Sequence, residues 1–192
     1  MRTLAIFALA ASIAPTAPAG AQHPHTQEGP ERFTAFAVSL GGPGSVAGTA
    51  QVEIAVSRWS TDAERERLLE ALKNGQDALL RALQDQRPVG SIRTPDSIAY
   101  DLRYAHQVPG EDGGRRIILA TDRPISVWEA ANRPRTIDYP FTFIELRLND
   151  EGKGEGKLSI ATKVTSDPGG RVIQLENWAA QPVQLNEVRK VN

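Results

Sequence analysis

Apolar and polar side chains alternate with a period of two over much of the chain, which predicts a fold rich in β-strands. The clearest case is residues 158–164, where every second position from Leu158 to Val164 is apolar or threonine. This period is typical of a strand with one buried face. Comparable patterns predict strands at 32–40, 50–58, 89–94, 97–105, 115–121, 141–148, 171–178 and 183–191.

Residues 139–164 predict a β-hairpin whose first arm changes the parity of its apolar side chains. Phe141 and Phe143 are followed by an apolar set of opposite parity that begins at Ile144. We expect a β-bulge near Phe143 to bring both sets to the core side of the sheet. A short segment buried on both faces of the sheet is the alternative.

The link between the two arms is rich in glycine, which indicates a solvated loop that uses positive φ angles at Gly152, Gly154 and Gly156. It is not a phosphate-binding P-loop. That motif needs four residues between its glycines and a hydroxyl residue after its lysine. Here three residues separate Gly152 from Gly156, and Leu158 follows Lys157.

The period becomes helical between the second and third predicted strands. Thr61 and Glu64 have the spacing of a capping box, and a leucine stripe follows over 68–72. Gly75 suits a helix C-terminus, and a second helix is predicted over 76–86. Both stripes are typical of helices that pack on a core.

These elements favour an α+β fold with a mostly antiparallel curved sheet or open barrel of about eight or nine strands. The helical pair follows the second strand and covers one face or end of the sheet. We expect a signal peptide at 1–21, a flexible segment at 22–31 and a single domain at 32–192. Residues 126–131 form either a short helical turn or an edge strand.

The first 21 residues have the layout of a secretory signal. Arg2 precedes the apolar run LAIFALAASIA, and Ala19-Gly20-Ala21 forms an A-x-A site. An eleven-residue apolar run is shorter than the ~20 residues that a membrane-spanning helix needs. The pattern predicts cleavage between Ala21 and Gln22, a periplasmic or extracellular location, and no membrane span afterwards.

Composition narrows the function classes further. The chain contains no cysteine, which excludes disulfides, thiolate metal sites and cysteine nucleophiles. A cysteine-free exported chain with this signal fits a bacterial periplasm. The formal net charge of −1 argues against a nucleic-acid partner.

Three segments resemble a family of uncharacterised secreted bacterial proteins. They are ILATDRPISVWEA at 118–130, DYPFTFIELRL at 138–148 and GEGKLSIATKV at 154–164. The resemblance implies an exported bacterial domain. It implies no activity, cofactor or site residue.

The sequence lacks the familiar catalytic and metal-binding motifs. His106 is the only histidine outside the N-terminal tail, and neither a G-x-S-x-G elbow nor an H-E-x-x-H helix occurs. His23 and His25 lie near the new amino terminus, where an α-amine and two imidazoles make a candidate Cu(II) or Zn(II) site. A tail that happens to contain histidine is the simpler interpretation, and we predict no cofactor. Four carboxylates are candidates for glycosidase-like chemistry: Asp101, Asp122, Asp138 and Glu145. Ion pairing with the many arginines explains them more simply.

Arginines and aromatic residues cluster along one part of the chain. Five arginines lie between residues 115 and 135, with tyrosines and a tryptophan close to them in sequence. Such residues line clefts that bind anionic or sugar-like ligands. An ordinary charged strand surface with aromatic core residues is the alternative. The candidate ligand-binding residues are Tyr100, Tyr104, Arg115, Arg116, Arg123, Trp128, Arg133, Arg135 and Tyr139.

The sequence therefore favours an exported, non-enzymatic module that binds a ligand or another protein. Its partner would be a small anionic or sugar-like molecule or a protein of the cell envelope. Two alternatives stay open: a carboxylate-dependent, glycosidase-like hydrolase without a recognisable motif, and a structural accessory of the envelope.

Overall fold

The computed structural model describes residues 29–40, 47–110, 113–123, 139–166, 173–177 and 182–191. The predicted signal peptide, its cleavage site at Ala21 and Gln22, and the segment 126–131 lie outside these residues. The predicted flexible segment ends one residue late, because Glu31 already belongs to a strand and pairs with Val56.

The described chain contains ten strands and two helices. The strands are β1 (Glu31–Ser39), β2 (Gly48–Val56), β3 (Gly90–Arg93), β4 (Tyr100–Leu102), β5 (Tyr104–Pro109), β6 (Arg115–Thr121), β7 (Phe141–Leu148), β8 (Lys153–Ser166), β9 (Ile173–Asn177) and β10 (Val183–Val191). The helices, both between β2 and β3, are α1 (Asp62–Lys73) and α2 (Gln76–Gln84).

All ten strands belong to one sheet with the order β4-β3-β2-β1-β10-β8-β7-β6-β5, and β9 pairs with β8. Every strand pair in it is antiparallel. The predicted α+β fold, with its helical pair after the second strand, is therefore confirmed.

The two ends of the sheet meet at Arg103. This residue alone separates β4 from β5 along the chain, although the two strands stand at opposite ends of the strand order. The amide of Arg103 donates to the carbonyl oxygen of Ala120 in β6 at 2.9 Å. The single strand predicted over 97–105 is wrong, because the chain exchanges β3 for β6 as its partner at Arg103.

Curvature of the sheet gathers buried side chains from nine strands into one core. We call the side that carries this core the inner face of the sheet. Because the chain has no disulfide, this core holds the sheet together, and each fully buried large aliphatic side chain contributes about 1.5–3 kcal/mol. Members that are at most 1% exposed include Phe33, Val52, Ile54, Ile92, Leu102, Ile117, Leu119, Ile144, Leu146, Leu158 and Leu185.

The helical pair packs against the opposite side, the outer face, of β5 to β8. The buried leucines of both helices form a second cluster with Ala120, Phe141 and Val164. The backbone amide of Val164 also donates to the side-chain oxygen of Gln76 at 3.1 Å, which ties α2 to β8. The leucine stripes therefore pack on the sheet, as their spacing predicts.

The β7–β8 hairpin contains the predicted irregularity, but with a different outcome. The register between the strands shifts between Phe141 and Phe143, and the hydroxyl of Thr162 donates to the carbonyl oxygen of Ser159 at 3.0 Å beside the shift. Phe141 and Phe143 pack on the helix side, while Ile144 belongs to the inner core. The alternative, a segment buried on both faces, is the one observed.

The glycine-rich link of this hairpin is shorter than expected. β8 begins at Lys153, so Gly154 and Gly156 lie within the strand and not in a loop. Of the three glycines, Gly152 has a positive φ, of 73°. The prediction of positive φ at all three is wrong, since Gly154 and Gly156 are required by close backbone packing against β7.

The start of α1 provides a direct test of the capping box. The amide of Glu64 donates to the Thr61 hydroxyl at 3.2 Å, and the Thr61 amide donates to the Glu64 carboxylate at 2.8 Å. We expect Thr61→Ala to lower the free energy of unfolding by about 1 kcal/mol, because the Glu64 amide loses its hydroxyl acceptor. Urea denaturation of Thr61→Ala beside Thr61→Ser measures this. If Thr61→Ser lowered the free energy of unfolding as much as Thr61→Ala, the hydroxyl would not be the group that caps the helix.

Candidate functional site

A groove of about 500 Å³ lies between the helical pair and the outer face of β5 to β8. The helices form one wall, and the strands form the floor. Most of the surface inside it is apolar. The side chains that line the groove belong to Arg65, Leu68, Leu69, Leu72, Leu79, Leu83, Tyr104, His106, Val108, Arg116, Ile118, Ala120, Phe141, Phe143, Ile144, Glu145, Lys157, Ser159, Val164 and Leu175.

The antiparallel register arranges the floor of the groove in three rows. The first row contains Tyr104, Ala120, Phe143 and Ser159, the second contains His106, Ile118, Glu145 and Lys157, and the third contains Val108 and Arg116. The first row packs against the leucines of the helices. Charged groups begin in the second row, so the floor changes from apolar to charged along the strands.

Glu145 lies at the charged end and is held by arginines on both sides. Its carboxylate forms ion pairs of 2.8 Å with Arg116 and 2.8 Å with Arg147. Burial opposes ionisation of Glu145, but these two arginines and Lys157 together outweigh it and hold its pKa below the ordinary value. Glu145 therefore carries a negative charge at neutral pH.

Tyr104 closes the floor beside α1. Burial raises the pKa of its hydroxyl, while the positive charge of Arg65 on α1 acts in the opposite direction. Its ring stacks on the imidazole of His106 with centroids 6.1 Å apart and planes inclined by 28°. Tyr104 thus stays a neutral hydroxyl that presents a flat, partly polar surface to the groove.

Two of the nine sequence-predicted ligand residues, Tyr104 and Arg116, come together in this groove. Arg115, next to Arg116, points to the inner face and forms an ion pair of 2.9 Å with Glu31. Consecutive strand residues point to opposite faces, which separates these two arginines.

The other predicted ligand residues lie elsewhere. The guanidinium carbon of Arg123 lies 5.0 Å from the centroid of the Tyr100 ring. The hydroxyl of Tyr139 donates to Glu176 in β9 at 2.8 Å. Trp128, Arg133 and Arg135 lie outside the described residues, as do His23 and His25.

The carboxylates considered for hydrolysis are also dispersed. Glu145 lines the groove, whereas Asp101 and Asp122 flank Arg103 at nitrogen–oxygen distances of 3.9 and 3.7 Å. Asp138 lies outside the described residues. Among the described residues that line the groove, Glu145 is the one carboxylate.

Sequence reasoning missed Arg65, Lys157 and the helical leucines as site residues. One signal for them was present in β6, where Ile118 and Ala120 make the face opposite Ile117 and Leu119 apolar as well. A strand that is apolar on both faces needs a cover on each side. Here the helices supply the second cover and leave a gap, which is the groove.

The described ranges contain neither a metal-binding cluster nor a helix that could span a membrane. In them, no three histidine, aspartate or glutamate side chains stand close enough together to hold a metal ion. The helices that the structure describes are also too short and too polar for any to cross a bilayer.

Comparison of the chain with protein-family models, with curated proteins and with solved structures found no match in any of the three.

Proposed function

We propose that this protein is an exported bacterial binding module and that its ligand occupies the groove between the helical pair and the sheet. The observation that carries the proposal is the groove itself: about 500 Å³ of mainly apolar space with a few polar and charged side chains in its lining. Ligand sites in proteins are typically clefts of about 300–1,000 Å³ with apolar linings and a few convergent polar groups.

The state of Glu145 favours binding over hydrolysis. A general acid needs a raised pKa, and glycosidase-like chemistry needs a second carboxylate nearby. Glu145 instead has a lowered pKa and is fixed by Arg116 and Arg147. This arrangement suits a structural role, in which the carboxylate orients two guanidinium groups at the end of the groove.

Export is supported by the sequence. Residues 1–21 have the layout of a secretory signal. The absence of cysteine and the resemblance to a family of secreted bacterial proteins agree with it. The mature protein would start at Gln22 and act in the periplasm or outside the cell.

Binding of a neutral fluorescent hydrophobic probe, N-phenyl-1-naphthylamine, tests the proposal. We expect saturable 1:1 binding by the wild-type protein. Ser159→Phe places a ring on the groove floor and should weaken probe binding about tenfold, or by about 1.4 kcal/mol. Ser91→Phe is the matched control, because Ser91 lies in β3, is partly buried as Ser159 is, and does not line the groove.

The two variants separate the groove from the rest of the surface. Equal weakening in Ser159→Phe and Ser91→Phe would contradict a site in the groove, as would a wild-type protein without saturable binding. Urea denaturation of both variants checks that each is folded during the titration.

A further inference from the structure

We infer that the ligand is a single-chain amphiphile with one anionic head group. Its aliphatic chain lies beneath the helices, and its head group lies at the charged end of the groove. The inference rests on the proposed function, since it specifies what the same groove binds.

The polarity of the groove changes along one direction. The helical leucines, Ala120 and Phe143 form an apolar end, where Phe141 and Val164 are almost fully buried. Four residues along β5 separate Tyr104 in the first row from Val108 in the third. At about 3.4 Å per residue this separation is ~14 Å, which suits an extended chain and is long for a compact polar molecule.

Among the described residues, the charged end of the groove carries more positive than negative charge. Glu145 is already paired with Arg116 and Arg147. Lys157 lies opposite Glu145 on β8 and acts on the same carboxylate, so three cations share one negative charge there. Of these cations, Arg116 and Lys157 line the groove. An anionic head group at this end would balance the excess of positive charge.

The same features argue against other ligand classes. A cationic head group at the charged end would meet Arg116 and Lys157 on the groove lining and Arg147 beside Glu145, against the carboxylate of Glu145. A sugar exposes hydroxyl groups on most of its surface, and the leucine-lined end would leave them without hydrogen-bond partners. An aliphatic chain with one carboxylate or phosphate satisfies both ends of the groove.

Calorimetric titration of the full mature chain with matched fourteen-carbon ligands tests the inference. The ligands are tetradecanoate, tetradecyl phosphate, tetradecanol and tetradecyltrimethylammonium, each kept below its micelle concentration. We expect both anions to bind at least about tenfold more tightly than the alcohol, a difference of about 1.4 kcal/mol. The ammonium compound should bind more weakly than the alcohol. Comparing the two anions shows whether a carboxylate or a phosphate head group fits better.

Substitutions of lysine test whether the head group binds at the charged end of the groove. Lys157→Gln should weaken tetradecanoate binding about fivefold and leave tetradecanol binding unchanged, because only the charged head loses a partner. Lys153→Gln is the matched control, since Lys153 lies on the same strand with an exposed side chain and outside the groove. Its affinity for both ligands should equal that of the wild type.

The outcomes distinguish the two proposals. If tetradecanol binds as tightly as the anions, the groove binds apolar chains but the inferred anionic head group is wrong. The inference also fails if Lys153→Gln and Lys157→Gln weaken tetradecanoate equally. If none of the four ligands binds and the neutral probe does not bind either, the proposed function itself is overturned.

Discussion

Replacing Glu31 with glutamine is expected to lower the free energy of unfolding by about 3 kcal/mol, because the change removes a buried negative charge that pairs with Arg115 and Lys190. The Glu31 residue is 4% exposed at the start of β1. Its carboxylate lies 2.9 Å from a guanidinium nitrogen of Arg115 and 2.8 Å from the ammonium nitrogen of Lys190.

The size of the loss follows from the cations left behind. Removing one partner of a buried ion pair typically costs about 3–5 kcal/mol, since the other charge stays desolvated without compensation. Arg115 and Lys190 are partly accessible, with side chains 20% and 36% exposed, so water recovers part of the lost interaction. The expected loss therefore lies at the lower end of the range.

Urea denaturation of Glu31→Gln measures this, with Glu187→Gln as the control. Glu187 pairs with Arg189 at 3.0 Å on β10, but both side chains are about 60% exposed. An exposed pair contributes about 0–1 kcal/mol, so Glu187→Gln should change little. Equal losses in the two variants would show that the burial of Glu31 adds nothing to its ion pairs.

The Glu31 cluster also explains why a count of arginines along the chain is a poor guide to the site. Arg115 and Arg116 are adjacent in sequence, yet Arg115 closes the inner side of the sheet and Arg116 lines the groove outside it. Alternation within β6 was visible in the sequence. The identity of each partner was not, because Glu31 lies 84 residues before Arg115.

Local patterns predicted the local structure well. The capping residues Thr61 and Glu64 mark the start of α1, and the two leucine stripes pack as amphipathic helices should. The hairpin of β7 and β8 also forms where alternation predicted it. In each case the determining contacts lie within a few residues of each other or across one turn.

Non-local pairing explains what the sequence could not predict. An unbroken alternation over 97–105 is compatible with one strand or with two, and the difference is which neighbour each half meets. The first half pairs with β3 and the second with β6, and Arg103 lies between them. Only the pairing of each half with its own distant strand decides this division.

The groove was unpredictable for a related reason. A leucine stripe that seals a core and one that leaves space above a sheet have the same spacing. The gap depends on how far α1 and α2 stand from β5 and β6. Of the side chains at its charged end, Arg116 and Glu145 were separate candidates for different chemistry, and only the register of β6 with β7 brings them together.

Substitution of Gly154 by alanine should destabilise the fold by about 3 kcal/mol, because the new methyl group overlaps a main-chain atom that cannot move aside. A Cβ at Gly154 would collide with the carbonyl oxygen of Arg147 and would lie 3.1 Å from the Cα of Leu148. Both residues belong to β7, which is held on one side by β6 and on the other by β8. Relief of the clash therefore requires three strands to shift.

Two other glycines separate the steric cost of the added methyl group from the cost of backbone strain. Gly29→Ala meets no atom within 4 Å and should leave stability nearly unchanged. Gly152→Ala meets only the Lys190 side chain, at 3.0 Å, but Gly152 has a φ of 73°, so a loss of about 1–2 kcal/mol is expected from backbone strain. Urea denaturation of the three variants should give losses that increase from Gly29 to Gly152 to Gly154. A loss for Gly154→Ala no larger than that for Gly152→Ala would mean that β7 and β8 yield to the methyl group, and that close backbone contact is not the reason for glycine within β8.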